Sequence, residues 1–321
     1  MRNKMFSVTL AAFLVLSMAL TACTPKPDWG TPDNPIVITF VPSGDTGKIT
    51  TAGTQIADWL SKETGLSFKI EVGTSYAASI EAMGAQKAQM GFLATFAILL
   101  ARQKYGIIPA VVAARKYKAP IEKEIDPDNA LEGTLQTFYK SQFMTQADSS
   151  IKTFEDLKGK TFCFVDPNST SGYILPNIIL KSKGLNPEVD FKAIINAGGH
   201  DKVAISVYDK TCDAGVTWID TRTDAQYALY ETYPDIQTKV RVFAVSDRIP
   251  NDGAQFIKQL DPAVQKKITD ALLKMAADEN GKKFLKNLYG YDTLQAVEPT
   301  FYDDFAAVLK AAGVDPAALV K

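Results

Sequence analysis

Short apolar runs alternate with helical segments along most of the 321 residues, and this alternation constrains the fold more than any other feature. Residues 36–40 and 67–72 are predicted strands, and residues 48–64 between them place Ile56 and Leu60 on one face of a helix. The alternation continues with a helix at 75–86, a strand at 90–93, a helix at 96–105 and a strand at 109–113. Strands that alternate with helices favour a parallel sheet covered on both faces, so we predict an α/β protein.

A second series of strands and helices follows an irregular stretch at residues 116–133, which carries prolines and many charges. Residues 135–145 are predicted to form one long strand that crosses to a second lobe. Beyond it we predict strands at 161–165, 191–195, 214–217 and 240–245, and helices at 172–183, 201–208 and 221–233. In the tail we expect helices at 262–278, 281–289 and 302–312. A chain of this length exceeds one compact core and suits two lobes.

The first 22 residues are typical of a secretion signal. Arg2 and Lys4 precede an apolar run that is too short to span a bilayer comfortably, and small residues precede Cys23. This pattern predicts a bacterial lipoprotein in which Cys23 is acylated; the alternative is an ordinary signal peptide with Cys23 incidental. Residues 23–34 are rich in Pro, Asp, Asn and Gly and are predicted to be a tether.

The formal net charge of −1 gives no electrostatic reason to expect nucleic-acid binding. Removal of residues 1–22 takes away Arg2 and Lys4 and no acidic residue, which leaves a charge of −3. Anion recognition must therefore come from local geometry. The chain has one histidine, no cluster of Cys and His, and no glycine-rich nucleotide-binding motif, so we expect no metal and no cofactor.

Two further cysteines, Cys163 and Cys212, lie in or next to apolar runs that are predicted strands. If these strands are neighbours, a disulfide is feasible, and export would permit it. The alternative is a pair of buried free thiols.

Two polar turns, each between a predicted strand and a predicted helix, carry the densest chemistry. Ser169, Thr170 and Ser171 come just before one helix, where hydroxyls cap backbone N–H groups and where the helix dipole suits an oxyanion. The single histidine, His200, follows a Gly-Gly pair at the other turn and can donate a hydrogen bond to an anion. Carboxyl ends of parallel strands are where open α/β sheets bind ligands, so we expect both turns to meet at one site.

Three segments together resemble the phosphonate-binding protein family, the extracytoplasmic receptors of phosphonate, phosphite and phosphate-ester ABC importers. The segments are Asp-Pro-Asn-Ser-Thr-Ser-Gly-Tyr at 166–173, Gly-Gly-His-Asp at 198–201 and Cys-Asp-Ala-Gly at 212–215. The resemblance extends from about residue 36 to about residue 275. It implies a two-lobe periplasmic-binding-protein fold of type II, with mixed sheets flanked by helices and a ligand cleft at the hinge.

The resemblance also implies the ligand contacts. Ser169, Thr170 and Ser171 match the family's cradle for phosphonate oxygens, and His200 matches its phosphonate-binding histidine. The remaining matches are Tyr76, which closes over the ligand, Tyr139, a second tyrosine, and Asp220 and Asp252, which hold the ammonium group of aminoalkylphosphonates. Asp220 and Asp252 are equally open to interpretation as solvated loop acids. Residues 93–96 depart from the family, which often has a Gly-rich turn with a tyrosine there.

These features predict two lobes, a set of partners and a location. We expect a first lobe at 35–133 plus 252–321, a second lobe at 139–246, and hinge crossings at 134–138 and 247–251. The resemblance implies a phosphonate, phosphite or phosphate-ester ligand, an ABC permease with its ATPase, and membrane attachment through Cys23 on the extracytoplasmic side. We expect a monomer.

Three alternatives remain open at this stage. A binding protein for a sulfonate, a thiamine precursor or a tricarboxylate would keep the two lobes and change the pocket. A Ser/His hydrolase has the residue types it needs, but Ser169 lacks the flanking glycines of a G-x-S-x-G nucleophile elbow, so we expect no enzyme activity. A sensory role, in which the liganded protein docks on a membrane receptor, is the third.

Overall fold

A computed structural model describes residues 28–118 and 121–316. The signal sequence, Cys23 and the first part of the tether, up to residue 27, lie outside the described residues. Two β-sheets, each flanked by helices, form an α/β protein, and we call the units around them the first and second lobes. Within the described residues, no helix is both long and apolar enough to cross a bilayer.

The first lobe is built on a seven-stranded mixed sheet. Its strands are β1 (Ile36–Phe40), β2 (Phe68–Val72), β3 (Met90–Leu93), β4 (Ile108–Lys116), β5 (Leu135–Gln136), β13 (Gly253–Phe256) and β14 (Thr293–Ala296). Strands β1, β2 and β3 are parallel, whereas β13 runs antiparallel between β3 and β4. At Gly253 a Cβ would collide with the backbone of Val111, so this insertion requires glycine. The first lobe is therefore completed by chain that returns from the second.

The second lobe is built on a five-stranded sheet in the order β11-β7-β10-β8-β9. Its strands are β7 (Ser141–Gln146), β8 (Thr161–Phe164), β9 (Ala193–Asn196), β10 (Ala214–Trp218) and β11 (Val240–Val245). Strands β8, β9 and β10 are parallel, and β7 is antiparallel to both of its neighbours. A separate two-stranded pair, β6 (Phe138–Tyr139) with β12 (Ile249–Pro250), connects the lobes.

Helices cover both sheets. They are α1 (Thr46–Thr64), α2 (Tyr76–Gly84), α3 (Thr95–Tyr105), α4 (Leu175–Ser182), α5 (Pro187–Asp190), α6 (His200–Tyr208), α7 (Leu229–Thr232), α8 (Ile236–Lys239), α9 (Pro262–Ala277), α10 (Glu279–Tyr289) and α11 (Asp303–Ala311). A π-helical turn, Thr170–Ile174, leads into α4, and short 3-10 turns lie at Pro127–Leu131 and Glu155–Leu157.

Apolar side chains from the facing sides of helices and strands form the core. In the first lobe, Phe40 and Phe92 stack with ring centroids 5.2 Å apart. One face of the second sheet carries its own cluster, in which Phe143 and Phe162 are fully buried. Burial of such aromatic side chains is the main stabilising contribution to each lobe.

The predicted long strand at 135–145 is wrong. The segment is divided among β5, β6 and β7, which pair in three different sheets. The chain changes lobes here, so no single strand can continue through it. Lys140 lies between β6 and β7, where the chain changes lobes. Its buried ammonium lies 2.7 Å from carboxylate oxygens of Asp126 and of Asp128.

The three helices predicted in the tail are present as α9, α10 and α11. The strands β13 and β14, which complete the first sheet, were not predicted, because both are short and are stabilised by long-range pairing that local periodicity does not signal. One other prediction needs correction. The predicted helix at 221–233 contains only Leu229–Thr232. The preceding residues form turns in which the carbonyl of Asp220 accepts backbone hydrogen bonds from Thr223 and Asp224.

Cys163 and Cys212 form a disulfide with Cα atoms 5.9 Å apart. Cys163 lies in β8, Cys212 lies just before the neighbouring strand β10, and both are fully buried. The distance is within the usual range for a bridge. The disulfide joins β8, which leads into the Ser169 turn, to the segment just before β10.

Candidate functional site

A small cavity lies between the lobes. Its volume, measured for the centre of a water-sized sphere, is about 40 Å³. It is lined by Val41, Ser43, Tyr76, Ala94, Arg115, Tyr139, Ser169, Ser171, His200, Trp218, Gln226, Tyr227, Asp252 and Tyr289. Six of the eight predicted ligand-binding residues are in this set; Thr170 and Asp220 are not.

The topology explains why residues so distant in sequence meet. In the first lobe, lining residues follow the carboxyl ends of the parallel strands β1, β2 and β3. In the second lobe, they follow or end β8, β9 and β10. Carboxyl ends of parallel strands share one sheet edge, and the two edges face each other across the cavity.

Helix N-termini also converge on the cavity. Tyr76 begins α2, Ala94 is the N-cap of α3, Ser169 is the N-cap of the π-helical turn, and His200 begins α6. Two of these helices belong to each lobe. Because the first N–H groups of a helix have no partner within it, each N-terminus carries partial positive charge. The arrangement therefore favours an anion without requiring net positive charge.

Ser169 and Ser171 lie on the turn after β8, and both are buried. The Ser169 hydroxyl accepts a hydrogen bond from the backbone N–H of Gly172 at 3.2 Å, which leaves its own proton free to be donated. At Gly172 a Cβ would collide with Val165, so the tight turn requires glycine.

Thr170 contacts the other lobe instead of the cavity. Its buried hydroxyl oxygen accepts a hydrogen bond from the backbone N–H of Phe96, at the start of α3, at 2.7 Å. The middle hydroxyl of the Ser-Thr-Ser run therefore joins the lobes directly.

His200 is buried, and its hydrogen bonds define its protonation. Nδ1 accepts the backbone N–H of Trp218 at 3.1 Å. Burial, and then the positive charge of Arg115, lower the pKa of His200 to about 3. The imidazole is therefore neutral and carries its proton on Nε2, so Nε2 is a hydrogen-bond donor. In addition, the backbone N–H of His200 donates to the carbonyl of Ser43 in the first lobe at 3.0 Å.

Tyr76 and Tyr139 keep their phenolic protons. Burial, and then the charge of Asp166, raise the pKa of Tyr76 well above its ordinary value, although contact with the Ser169 hydroxyl opposes this. Burial, and then the charge of Asp252, raise the pKa of Tyr139 to about 12. Both hydroxyls are consequently donors at neutral pH.

Arg115 is a lining residue that the sequence did not single out. It lies in the apolar strand β4, and its guanidinium is buried. It pairs with Asp252 at 3.0 Å and also donates to the side chain of Asn251. The only signal in the sequence is a cation directly after the run Ala-Val-Val-Ala-Ala, and position in a strand does not say what the side chain meets.

Three other polar side chains of the cavity were also missed. Ser43 Oγ, Trp218 Nε1 and Gln226 Nε2 are buried and make no hydrogen bond with any described residue. All three atoms can donate. Buried polar atoms are normally paired, so a cluster of unpaired donors around one cavity indicates a ligand that accepts hydrogen bonds.

Asp220 lies at the end of β10 but outside the cavity lining. It is buried, and its Oδ1 makes no hydrogen bond with the described residues. Burial raises its pKa to about 7, even though Lys118 lowers it. The structure therefore does not bring Asp220 together with the other predicted ligand-binding residues.

Two α/β lobes around an interlobe cavity are the architecture of periplasmic binding proteins, and similarity to solved members confirms the type II fold expected from the resemblance. The family model described as "ABC transporter, phosphonate, periplasmic substrate-binding protein" matches residues 38–302. The chain belongs to this family, as the sequence motifs indicated.

Individual relatives agree with this assignment. The phosphate-import protein PhnD of Mycolicibacterium smegmatis is 28% identical over 226 residues, which cover 67% of this chain and 65%, or slightly less than two thirds, of the relative. A binding protein component of an ABC phosphonate transporter from Pseudomonas aeruginosa has a TM-score of 0.70 at 21% identity, covering 89% of this chain and 92% of that one. PhnD1 of Prochlorococcus marinus, solved in complex with methylphosphonate, has a TM-score of 0.67 at 17% identity, covering 87% and 98%. These structural similarities concern the fold.

Proposed function

We propose that this protein is the extracytoplasmic binding lipoprotein of an ABC importer, and that it binds a phosphonate or related phosphorus oxyanion between its lobes. The observation that carries the proposal is the concentration of donors around one small cavity. Four helix N-termini, the Nε2–H of His200 and several hydroxyls converge there.

A phosphorus oxyanion fits this donor set chemically. Its oxygens are arranged tetrahedrally, and each can accept more than one hydrogen bond. Donors on both lobes can therefore satisfy one ligand, and hydrogen bonds to a charged acceptor are stronger than those between neutral groups. Two relatives support this ligand class by name, one as a phosphate-import protein and one in complex with methylphosphonate.

The contacts between the lobes support a binding cycle of opening and closure. Besides the hydrogen bonds of Thr170 and His200, the ammonium of Lys48 on α1 donates to the carbonyls of Gln226 and Tyr227 at 3.3 Å each. A ligand that touches both lobes binds the closed form better than the open form, so it shifts the population toward closure. The permease and its ATPase would receive the ligand from this closed form.

Membrane attachment is proposed from the sequence around Cys23. If Cys23 is acylated, Cys23→Ala should release the protein from the membrane fraction, with Cys163→Ala/Cys212→Ala as a control that keeps the anchor. Unchanged membrane association of Cys23→Ala would contradict the lipoprotein assignment.

The tautomer of His200 argues against the hydrolase alternative. A serine nucleophile needs a ring nitrogen that can accept its proton. In His200, Nδ1 is occupied by the N–H of Trp218, and Nε2 already carries the proton. The arrangement suits donation to a ligand better than activation of Ser169.

Isothermal titration of the processed chain tests the ligand class. Methylphosphonate, phosphite and phosphate should include at least one ligand that binds with one molecule per chain, whereas methanesulfonate and sulfate should bind far more weakly. Tighter binding of a sulfonate than of every phosphorus oxyanion would overturn the proposal.

A further inference from the structure

We propose that the ligand carries no ammonium group, because Arg115 neutralises Asp252, the one carboxylate among the described residues that line the cavity. The ligand class would be phosphite, phosphate or a simple alkylphosphonate, and not an aminoalkylphosphonate. This inference rests on the proposed function and narrows it. It also departs from the role that the family resemblance implied for Asp252.

The guanidinium of Arg115 is held in place from several sides. It donates to Asn251 Oδ1, to Asp252 Oδ1 at 3.0 Å and to the carbonyl of Tyr289 at 3.3 Å. Aromatic rings surround it, with centroids at 5.5 Å for Tyr139, 5.2 Å for Trp218 and 4.7 Å for Tyr291. An arginine stays protonated at every physiological pH, so this is a fixed positive charge beside the cavity.

The pair changes what an incoming ammonium would meet. The attraction of an ammonium to Asp252 is opposed by repulsion from Arg115, whose nitrogen lies only 3.0 Å from the carboxylate oxygen. The carboxylate also already accepts a hydrogen bond from Arg115. The neutral pair therefore attracts neither an ammonium nor an oxyanion strongly, and the helix N-termini around the cavity favour the oxyanion.

Asp220 does not replace the missing carboxylate. It lies outside the cavity lining, and burial raises its pKa to about 7, so it is partly uncharged near neutral pH. Among the neighbouring cations, Lys118 lowers the pKa of Asp220 the most. Neither acid expected to hold an ammonium group is thus available as a free anion in the cavity.

The other polar lining atoms favour the same ligand class. Ser43 Oγ, Trp218 Nε1 and Gln226 Nε2 can all donate, and each lacks a partner among the described residues. An ammonium group needs acceptors, whereas phosphorus-bound oxygens need donors.

Titration calorimetry of the wild-type chain against matched ligands tests the inference. Propylphosphonate and 2-aminoethylphosphonate have the same number of heavy atoms, so their comparison separates charge from size; methylphosphonate and phosphite complete the set. We expect 2-aminoethylphosphonate to bind at least tenfold more weakly than the tightest ammonium-free ligand and more weakly than propylphosphonate. If 2-aminoethylphosphonate binds as tightly as these ligands or more tightly, the inference is wrong and the proposed function stands. If no phosphorus oxyanion binds, the proposed function fails as well.

Variants of Arg115 test whether this residue causes the preference for ligands without an ammonium group. Arg115→Met keeps an unbranched side chain and leaves Asp252 as an uncompensated carboxylate, so the ratio of affinities should move at least tenfold toward 2-aminoethylphosphonate. Arg115→Met/Asp252→Asn removes both charges and should abolish that gain. An unchanged ratio in folded Arg115→Met would overturn the assignment. If that variant does not fold, because a buried unpaired carboxylate is destabilising, the double variant and the wild-type comparison decide.

Discussion

His200 Nδ1 accepts the backbone N–H of Trp218 at 3.1 Å, and this hydrogen bond determines which ring nitrogen can donate to a ligand. Trp218 ends β10, and His200 begins α6, which follows β9. The bond joins the carboxyl ends of β9 and β10, which lie on either side of β8 in the second sheet, and fixes the tautomer of the imidazole. In the proposed binding mode, the neutral imidazole therefore donates to the anion through Nε2.

Two substitutions at His200 separate its two hydrogen bonds. In His200→Asn, the amide oxygen can occupy the position of Nδ1 and keep the bond from Trp218, but the Nε2–H donor is lost. Affinity for methylphosphonate should fall roughly ten- to a hundred-fold, since a hydrogen bond to a charged group contributes about 1.5–3 kcal/mol. His200→Gln, whose amide nitrogen reaches the position of Nε2, should retain more affinity and lose more thermal stability. The assigned tautomer would be contradicted if calorimetry showed tighter binding by His200→Asn than by His200→Gln and thermal denaturation showed His200→Gln to be the more stable variant.

The low pKa of His200 predicts a pH dependence of stability. The folded state keeps the imidazole neutral down to about pH 3, whereas the unfolded chain protonates it near pH 6.5. The contribution of His200 to the free energy of unfolding is therefore fully present above pH 6.5 and is lost progressively as the pH falls toward 3. Denaturant unfolding between pH 7 and pH 4 should show a shallower decline in His200→Asn than in the wild type. Parallel curves would contradict the lowered pKa, because they would mean that His200 binds its proton equally well in the folded and unfolded states.

Thr170 should act through closure. Thr170→Val removes the acceptor of the Phe96 N–H and leaves that buried group unpaired, which costs about 1–3 kcal/mol in the closed form only. We expect roughly tenfold or greater loss of phosphonate affinity, together with a more open ligand-free protein in small-angle scattering. Thr170→Ser keeps the hydroxyl and should behave as the wild type. An affinity loss in Thr170→Val without any shift toward the open form would instead indicate direct contact with the ligand.

The Cys163–Cys212 disulfide should stabilise the fold without affecting the ligand. The two cysteines are 49 residues apart in sequence, and loop-closure entropy for such a loop corresponds to about 4 kcal/mol. Cys163→Ala/Cys212→Ala should lower the free energy of unfolding by roughly 2–4 kcal/mol and leave affinity within about twofold. Reduction of the wild type should reproduce the loss. A large change in affinity would show that the bridge positions the turns at the site.

The sequence was informative where local periodicity was strong. The early strands and helices of the first lobe, and the turns at Ser169 and His200, were predictable because apolar alternation and a polar strand-to-helix junction are local signals. The short strands β13 and β14 were not, because they exist only through pairing with strands far away in sequence. The segment 135–145 misled for a related reason: no proline or glycine interrupts it, although its residues pair in three sheets.

At the site, too, the sequence could not predict contacts that depend on long-range pairing. Arg115 is one cation at the end of an apolar strand, and only the folded chain shows that Asp252 lies beside it. Thr170 matched the same motif as its neighbours, but its direction toward Phe96 depends on how the lobes meet. Residues that touch the cavity from irregular turns, such as Gln226, have no pattern that distinguishes them from other loop residues.

Titration of methylphosphonate into wild type and into Ser169→Ala/His200→Asn tests the central claim most directly. Ser169→Ala also removes a helix cap, worth about 1 kcal/mol of stability, so Asp261→Ala, which removes the cap of α9, serves as the matched control. We predict binding of one ligand per wild-type chain, wild-type affinity in Asp261→Ala, and at least about a hundred-fold weaker binding in the double variant, since two donors are lost. Wild-type affinity in a folded double variant would contradict the account, because the phosphorus oxyanion would then bind elsewhere.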